Sequence, residues 1–272
     1  NGSLQVKQNF VLEGDLSVDS DCSFKVDSGK SFTFGGTAQK IEISSSAAKA
    51  EFANLEISSG SSITTASDFT VTGDWTNEGS FSSAAGTITF SGDTNLSGEN
   101  TFYAVIFSKA SGTVTISDSN TFSSFESTAI GSTIKFGADK TQSVTASFKI
   151  TGSSVSKISL TSDSASPSLS DETTWWILNA PLSAIDVTHA QISYSNSRTD
   201  ITSKIDVEEN ENSEPAAAKF TTTNWFERKY YWLGSASSSW ADAGNWFYDA
   251  TTSYPAGVPS DGSGGETGPK II

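Results

Sequence analysis

The feature that most limits what this chain can become is an apolar–polar alternation repeated in short runs without hairpin turns between them. Ile88 with Phe90, Val114 with Ile116, and Ile134 with Phe136 each place two apolar residues one position apart. Period two describes a strand with one buried and one wet face. The dipeptides that close tight hairpins, Asn-Gly and Asp-Gly, are nearly absent from the first 150 residues, and Gly instead precedes strands, as in "GTITF" and "GTVTI". Strands that do not fold back must run on into a next rung. The spacing therefore predicts an all-β fold, a right-handed parallel β-solenoid with roughly 20 residues per coil and inward stacks of Phe, Ile and Val. A β-sandwich of the jelly-roll or immunoglobulin kind is the alternative.

Internal similarity supports the repeat. Residues 10–36 align with residues 69–92, pairing Phe10 with Phe69, Gly14 with Gly73, Phe24 with Phe81 and Phe34 with Phe90. The register continues from Phe52 to Phe102, while the offset falls from 59 to 57, 56 and then 50. A poorer third copy, offset by 46, places Phe136 on Phe90 and Phe148 on Phe102. Three regions follow: 1–161 as solenoid repeats, 162–224 as terminal coils with an acidic surface loop, and 225–272 as an aromatic-rich junction, a small β module leading to a further strand or module.

Composition excludes several classes of function. A net charge of −15 repels phosphate backbones and anionic headgroups, so neither nucleic acid nor a membrane surface is an expected partner. No apolar run approaches the ~20 residues of a membrane span, and membrane insertion is not expected. Cys22 stands alone, so no internal disulfide and no thiol zinc site is expected. The chain has no Met at all, which reads as a processed subunit or a piece of something longer.

The C-terminal stretch carries a resemblance. "DVTHAQISYSNS", "ITSKID" and "TTTNW", followed by "YYWLGSASSSWADAGNW" and "GVPSDGSGG", resemble the β-helical repeat regions of large bacterial surface proteins, adhesin-like and autotransporter-like. In that family a Trp- and Gly-rich "NW…GVP" segment precedes a new run of coils; here Ser235 and Ala236 stand where more Gly is usual. The resemblance implies an extracellular or cell-surface location and a structural or adhesive role, as a segment or subunit of a surface filament or adhesin. Both termini have strand texture without a cap, which points to end-to-end self-association or to tandem copies in a longer chain.

Little else is chemical. The only His, His189, sits among strand residues, and no enzymatic activity is expected. Asp206, Glu208, Glu209 and Glu211 offer oxygen donors of the kind calcium takes, as do Asp15, Asp19 and Asp21, although a solvated acidic loop is the favoured reading of both sets. Calcium is thus the one cofactor the sequence leaves room for. Tyr231, Trp232, Trp240 and Trp246 either stack on a glycan or clasp the last coils. The first option keeps open an alternative function, a carbohydrate-binding or polysaccharide-degrading β-helix protein. The Thr-x-Thr pairs at Thr70, Thr87 and Thr113 are spaced too unevenly for one flat lattice.

Overall fold

A computed structural model describes residues 2–44, 49–168, 171–205, 211–212, 222–223, 225, 231–232, 236 and 246–247. The chain divides into two compact units, Asn1–Trp225 and Phe226–Ile272. The first is a parallel β-solenoid of about nine turns.

Each turn of the solenoid contributes a strand to three ladders, here called faces I, II and III. Face I starts with Leu16–Val18, Gln39–Ile43, Ser62–Thr65 and Ser80–Ser83. Face II starts with Ser3–Val6, Ser23–Val26, Lys49–Phe52, Phe69–Val71 and Thr87–Phe90. Face III runs from Phe10–Leu12 through Trp75–Asn77 and Thr133–Phe136 to Glu211–Asn212. In the middle turns single long strands, Asn100–Phe107, Asn120–Ser127 and Thr141–Thr151, bend round the corner and serve faces I and II together. Every ladder pairing between named strands of this unit is parallel. A sandwich, whose sheets are antiparallel, cannot supply that pattern.

The coil length follows from the register. On face III, Phe10 pairs with Phe32, then Leu55, Trp75, Leu96, Ile116 and Phe136, steps of 20 to 23 residues. The next two turns take 26 and 32 residues, from Ile134 to Leu160 and from Leu160 to Ile192, because loops are inserted at the corners. The repeat visible in the sequence is a different quantity. Phe10 lies on face III and Phe69 on face II; Phe24 lies on face II and Phe81 on face I. Of the aligned pairs, Phe10 with Phe69, Phe24 with Phe81, Phe34 with Phe90 and Phe52 with Phe102 are each eight strands apart, two and two-thirds turns. All three faces present the same inward x-Φ-x-Φ, so an alignment slipped by one face scores well.

The inward residues form one aromatic spine. Phe10 stacks on Phe32 at 5.5 Å between ring centroids, and contacts continue through Phe52, Phe69, Trp75, Phe102, Phe122, Phe125, Phe136 and Trp176 to Trp225. Most of these rings are fully buried. Each such pair adds about 0.5–1.5 kcal/mol beyond the area it buries. The adjacent Trp175 and Trp176 are both buried because each indole finds a carbonyl: Trp175 Nε1 donates to Ser168 O at 2.7 Å and Trp176 Nε1 to Ser193 O at 3.2 Å. At the first turn the inward-directed Leu4 and Phe10 are 61% and 43% exposed.

Outward positions differ between faces. On face II one column reads Lys25, Glu51, Thr70, Thr89, Ile106, Glu126, Lys149, Asp186 in successive turns. Two neighbours in it form ion pairs, Lys25 with Glu51 at 2.6 Å and Lys149 with Glu126 at 3.3 Å. The hydrogen bond that Lys25 donates to Glu51, and then the Glu51 charge, hold the Lys25 ammonium above its ordinary range.

In the second unit, Tyr231–Trp232 pairs antiparallel with Trp246–Phe247, with Tyr231 opposite Phe247 and Trp232 opposite Trp246.

Candidate functional site

Face I carries a concave surface among the described residues. A groove of about 450 Å³ crosses four turns and is lined by Ser80, Glu99, Thr101, Thr121, Thr141 and Ser143, together with backbone and corner residues. The register explains its regularity. Thr64, Ser82, Thr101, Thr121 and Ser143 are successive partners in one outward column. A second column, two residues nearer the corner, runs Ser62, Ser80, Glu99, Ser119, Thr141. Strand spacing sets about 4.8 Å between turns, and strand rise about 6.7 Å between the columns.

The floor of the groove is a buried amide ladder. Beneath the hydroxyls the inward positions at the start of face I are Asn100, Asn120 and Gln142, 4%, 3% and 0% exposed. Asn100 Oδ1 accepts from Trp75 Nε1 and from Asn77 Nδ2, both at 3.0 Å. Asn100 Nδ2 donates to Gly98 O at 2.8 Å and to Asn120 Oδ1 at 2.9 Å. Asn120 Nδ2 and Gln142 Nε2 both donate to Asp118 O, at 2.8 and 2.9 Å. The ladder stops at Gln142, whose Oε1 is buried without a hydrogen-bond partner, because its neighbour in the next turn is Leu178. These bonds fix the corner from which the outward hydroxyls project.

Tyr103 shares a strand with Thr101, Glu99 being the residue just before that strand, and stands where face I turns into face II, 47% exposed. Its backbone N–H donates to Ser83 Oγ at 2.6 Å. Its partner in the following turn is the small Ser123, between the registered pairs Phe102–Phe122 and Ala104–Ser124. One rung of face I thus presents a carboxylate, a hydroxyl and a phenol ring in a row.

The residues singled out from sequence fall elsewhere. Tyr231, Trp232 and Trp246 lie in the two-stranded ladder of the second unit, and Trp240 lies outside the described residues. Asp206, Glu208 and Glu209 also lie outside them; Glu211 is in the last face III strand, paired with Gln191. Asp15 and Asp19 are spent locally, Asp15 Oδ1 accepting from Lys40 N and Asp19 Oδ1 from Ser44 Oγ. Among the described residues no group of three or more His, Cys, Asp or Glu side chains is placed to hold a metal ion. Trp225, at the head of the aromatic stretch, is buried in the solenoid, its Nε1 donating to Ser195 Oγ at 2.8 Å and its ring 5.7 Å from Trp176. His189 occupies a corner with φ of 53°, where its carbonyl accepts from Ile158 N. The Thr-x-Thr pairs are split, with Thr70, Thr87 and Thr89 on face II and Thr113 and Thr115 on face III.

Sequence reasoning missed Tyr103, Glu99 and the hydroxyl columns. The signal was there: Ser82, Thr101, Thr121 and Ser143 are 19, 20 and 22 residues apart. It surfaces only when the chain is laid out by coil, and the stronger 59-residue alignment puts face I opposite face II. Comparison with protein-family models, with curated proteins and with solved structures found no match to this chain.

Proposed function

We propose that this chain is a load-bearing segment of an extracellular bacterial filament or adhesin, without an enzymatic step of its own. The observation that carries the reading is the continuity of the three parallel ladders, which pass from turn to turn from Leu16 to Thr223 on face I, from Ser3 to Thr188 on face II and from Phe10 to Asn212 on face III. In such a stack every turn is braced by backbone hydrogen bonds along the axis and by the aromatic spine inside it. A chain organised that way transmits force lengthwise. The net charge of −15 keeps the sides of neighbouring copies apart by like-charge repulsion.

The exposure of Leu4 and Phe10 supports axial association as part of this role, since a further turn, from the same chain or a second copy, would bury both apolar side chains. Electron microscopy of the purified chain over a concentration series tests it. Ordered fibres with an axial repeat are expected, and they should be lost in the Leu4→Asp, Phe10→Asp double variant. Strictly monomeric particles up to the highest concentration would overturn the axial association.

A further inference from the structure

We propose that the face I groove binds a neutral glycan chain lying along the solenoid axis, with Tyr103 as its stacking ring. The inference stands apart from filament formation, because it uses the side of the column and not its ends.

Four observations converge on this ligand. The first is chemical: apart from Glu99, every outward side chain of the two columns between Ser62 and Ser143 bears a hydroxyl group, which both donates and accepts. A polyol matches such a surface in either chain direction, whereas a peptide would need its fixed order of N–H and C=O answered. The second is charge. Glu99 is the one ionisable residue of the lining, Arg198 reaches only its far end, where Nη2 donates to Thr141 Oγ1 at 3.4 Å, and the whole chain carries −15. Phosphorylated, sulfated and uronate chains are therefore repelled, while neutral sugar hydroxyls can donate to Glu99.

The third observation is geometric. The same groups recur at every turn, about 4.8 Å apart, so a polymer of repeating units meets the same contacts at each step. Its affinity should rise with length. The fourth is preorganisation: the amide ladder of Asn100, Asn120 and Gln142 already holds the floor, so little ordering cost falls on binding. Tyr103, two residues beyond Thr101 on its strand and flanking the groove's lining, supplies the amphipathic ring that sugar faces stack against, with the small Ser123 as its partner in the next turn. A uniform lattice ligand fits less well, since Glu99 and Tyr103 break the hydroxyl array on a single rung.

The test is titration calorimetry of the full chain with cello-, xylo-, manno- and malto-oligosaccharides of up to about six residues, and with oligogalacturonate as the anionic counterpart. At least one neutral series should bind, with affinity rising with length. Tyr103→Ala and the isosteric pair Thr101→Val, Thr121→Val should each weaken it at least tenfold, with unchanged circular dichroism and melting temperature, while Trp232→Ala should leave it unaltered. The proposal is overturned if no neutral series binds at millimolar concentration, if oligogalacturonate binds better, or if the folded face I variants bind as the parent does. Fibre formation by those variants is scored separately, so loss of glycan binding and loss of assembly are read independently.

Discussion

Replacing Asn100 with Ala should cost the solenoid far more than an Asn-to-Ala change usually does. The side chain makes four hydrogen bonds of 2.8 to 3.0 Å in a site only 4% exposed. Two of its partners keep a second contact: Asn77 Nδ2 still reaches Glu99 O, and Asn120 Oδ1 still accepts from the residue 100 backbone N–H. The Trp75 indole N–H loses the acceptor that holds it, inside a fully buried ring. An orphaned buried donor costs about 1–3 kcal/mol, and each further lost bond about 0.5–1.5 kcal/mol net. With the bond to Gly98 O as the one further loss counted in full, the sum is about 1.5–4.5 kcal/mol, which at a urea slope near 3 kcal/mol per M lowers the midpoint by roughly 0.5–1.5 M. Urea titration followed by both Trp fluorescence and far-UV circular dichroism measures it, and coincidence of the two probes guards against turns unfolding separately. The indole contribution is isolated by repeating the change in a Trp75→Phe background, where the donor is gone and Asn100→Ala should cost at least about 1 kcal/mol less. Equal costs in the two backgrounds, or a loss below about 1 kcal/mol in the parent, would refute the amide-ladder reasoning.

Three further outcomes are expected. Phe102→Ala removes a buried ring that touches Trp75, Phe81 and Phe122 at centroid distances of 5.3 to 5.5 Å, and should cost about 3–5 kcal/mol by the same urea assay. Gly98 has a φ of +85° and an added Cβ would sit 1.9 Å from Asn77 O, whereas Gly29, at φ +72°, has nothing within 4 Å. Gly29→Ala should therefore cost only about 1 kcal/mol of left-handed strain, and Gly98→Ala clearly more, in paired thermal melts. The Asp93 carboxyl is held below its ordinary range by the Lys109 side chain and then by the Thr113 backbone N–H. A lowered folded-state value contributes stability that is present above the unfolded carboxylate range and lost as pH falls through the folded one. NMR titration should find Asp93 ionised further into acid than an ordinary Asp, and Lys109→Ala should move it back.

The fold was legible because its signal is local. Ile88 with Phe90, or Val114 with Ile116, announces a one-sided strand within four residues, and the missing hairpin turns announce that the strands run on. Register is where local reading fails. Phe34 on face III and Phe90 on face II have the same surroundings in sequence, and only the pairing of Phe34 with Ile57, and of Phe90 with Phe107, tells them apart. The face I groove went unseen for that reason, since no segment of it exceeds two hydroxyls in sequence and its members meet only across turns. The aromatic stretch after residue 225 drew attention because its rings are close in sequence. Of its members, Trp225 carries a described structural role, as the end of the buried spine.

A stack whose three faces share one pattern has a problem that its apolar core cannot solve. A strand moved by one turn, or by one face, still buries Phe and Ile on its inner side, so hydrophobic burial alone barely separates the correct register from its slips. Polar residues that need a particular partner do separate them. Asn100 satisfies the Trp75 indole and the Asn120 amide only when three specified turns are in order, and displacement by a turn leaves those groups buried and unpaired. Lys25 over Glu51 and Glu126 over Lys149 add a weaker outer check, since a slip on face II removes the opposite charge each one needs. The buried amides thus do for this solenoid what a single core Asn does for a coiled coil, fixing alignment at some cost in stability. That division of labour leaves most outward positions of face I outside the buried network, although Ser62 Oγ accepts from Ala38 N and Ser119 Oγ from Thr141 N, and it is there that the hydroxyls, Glu99 and Tyr103 are found.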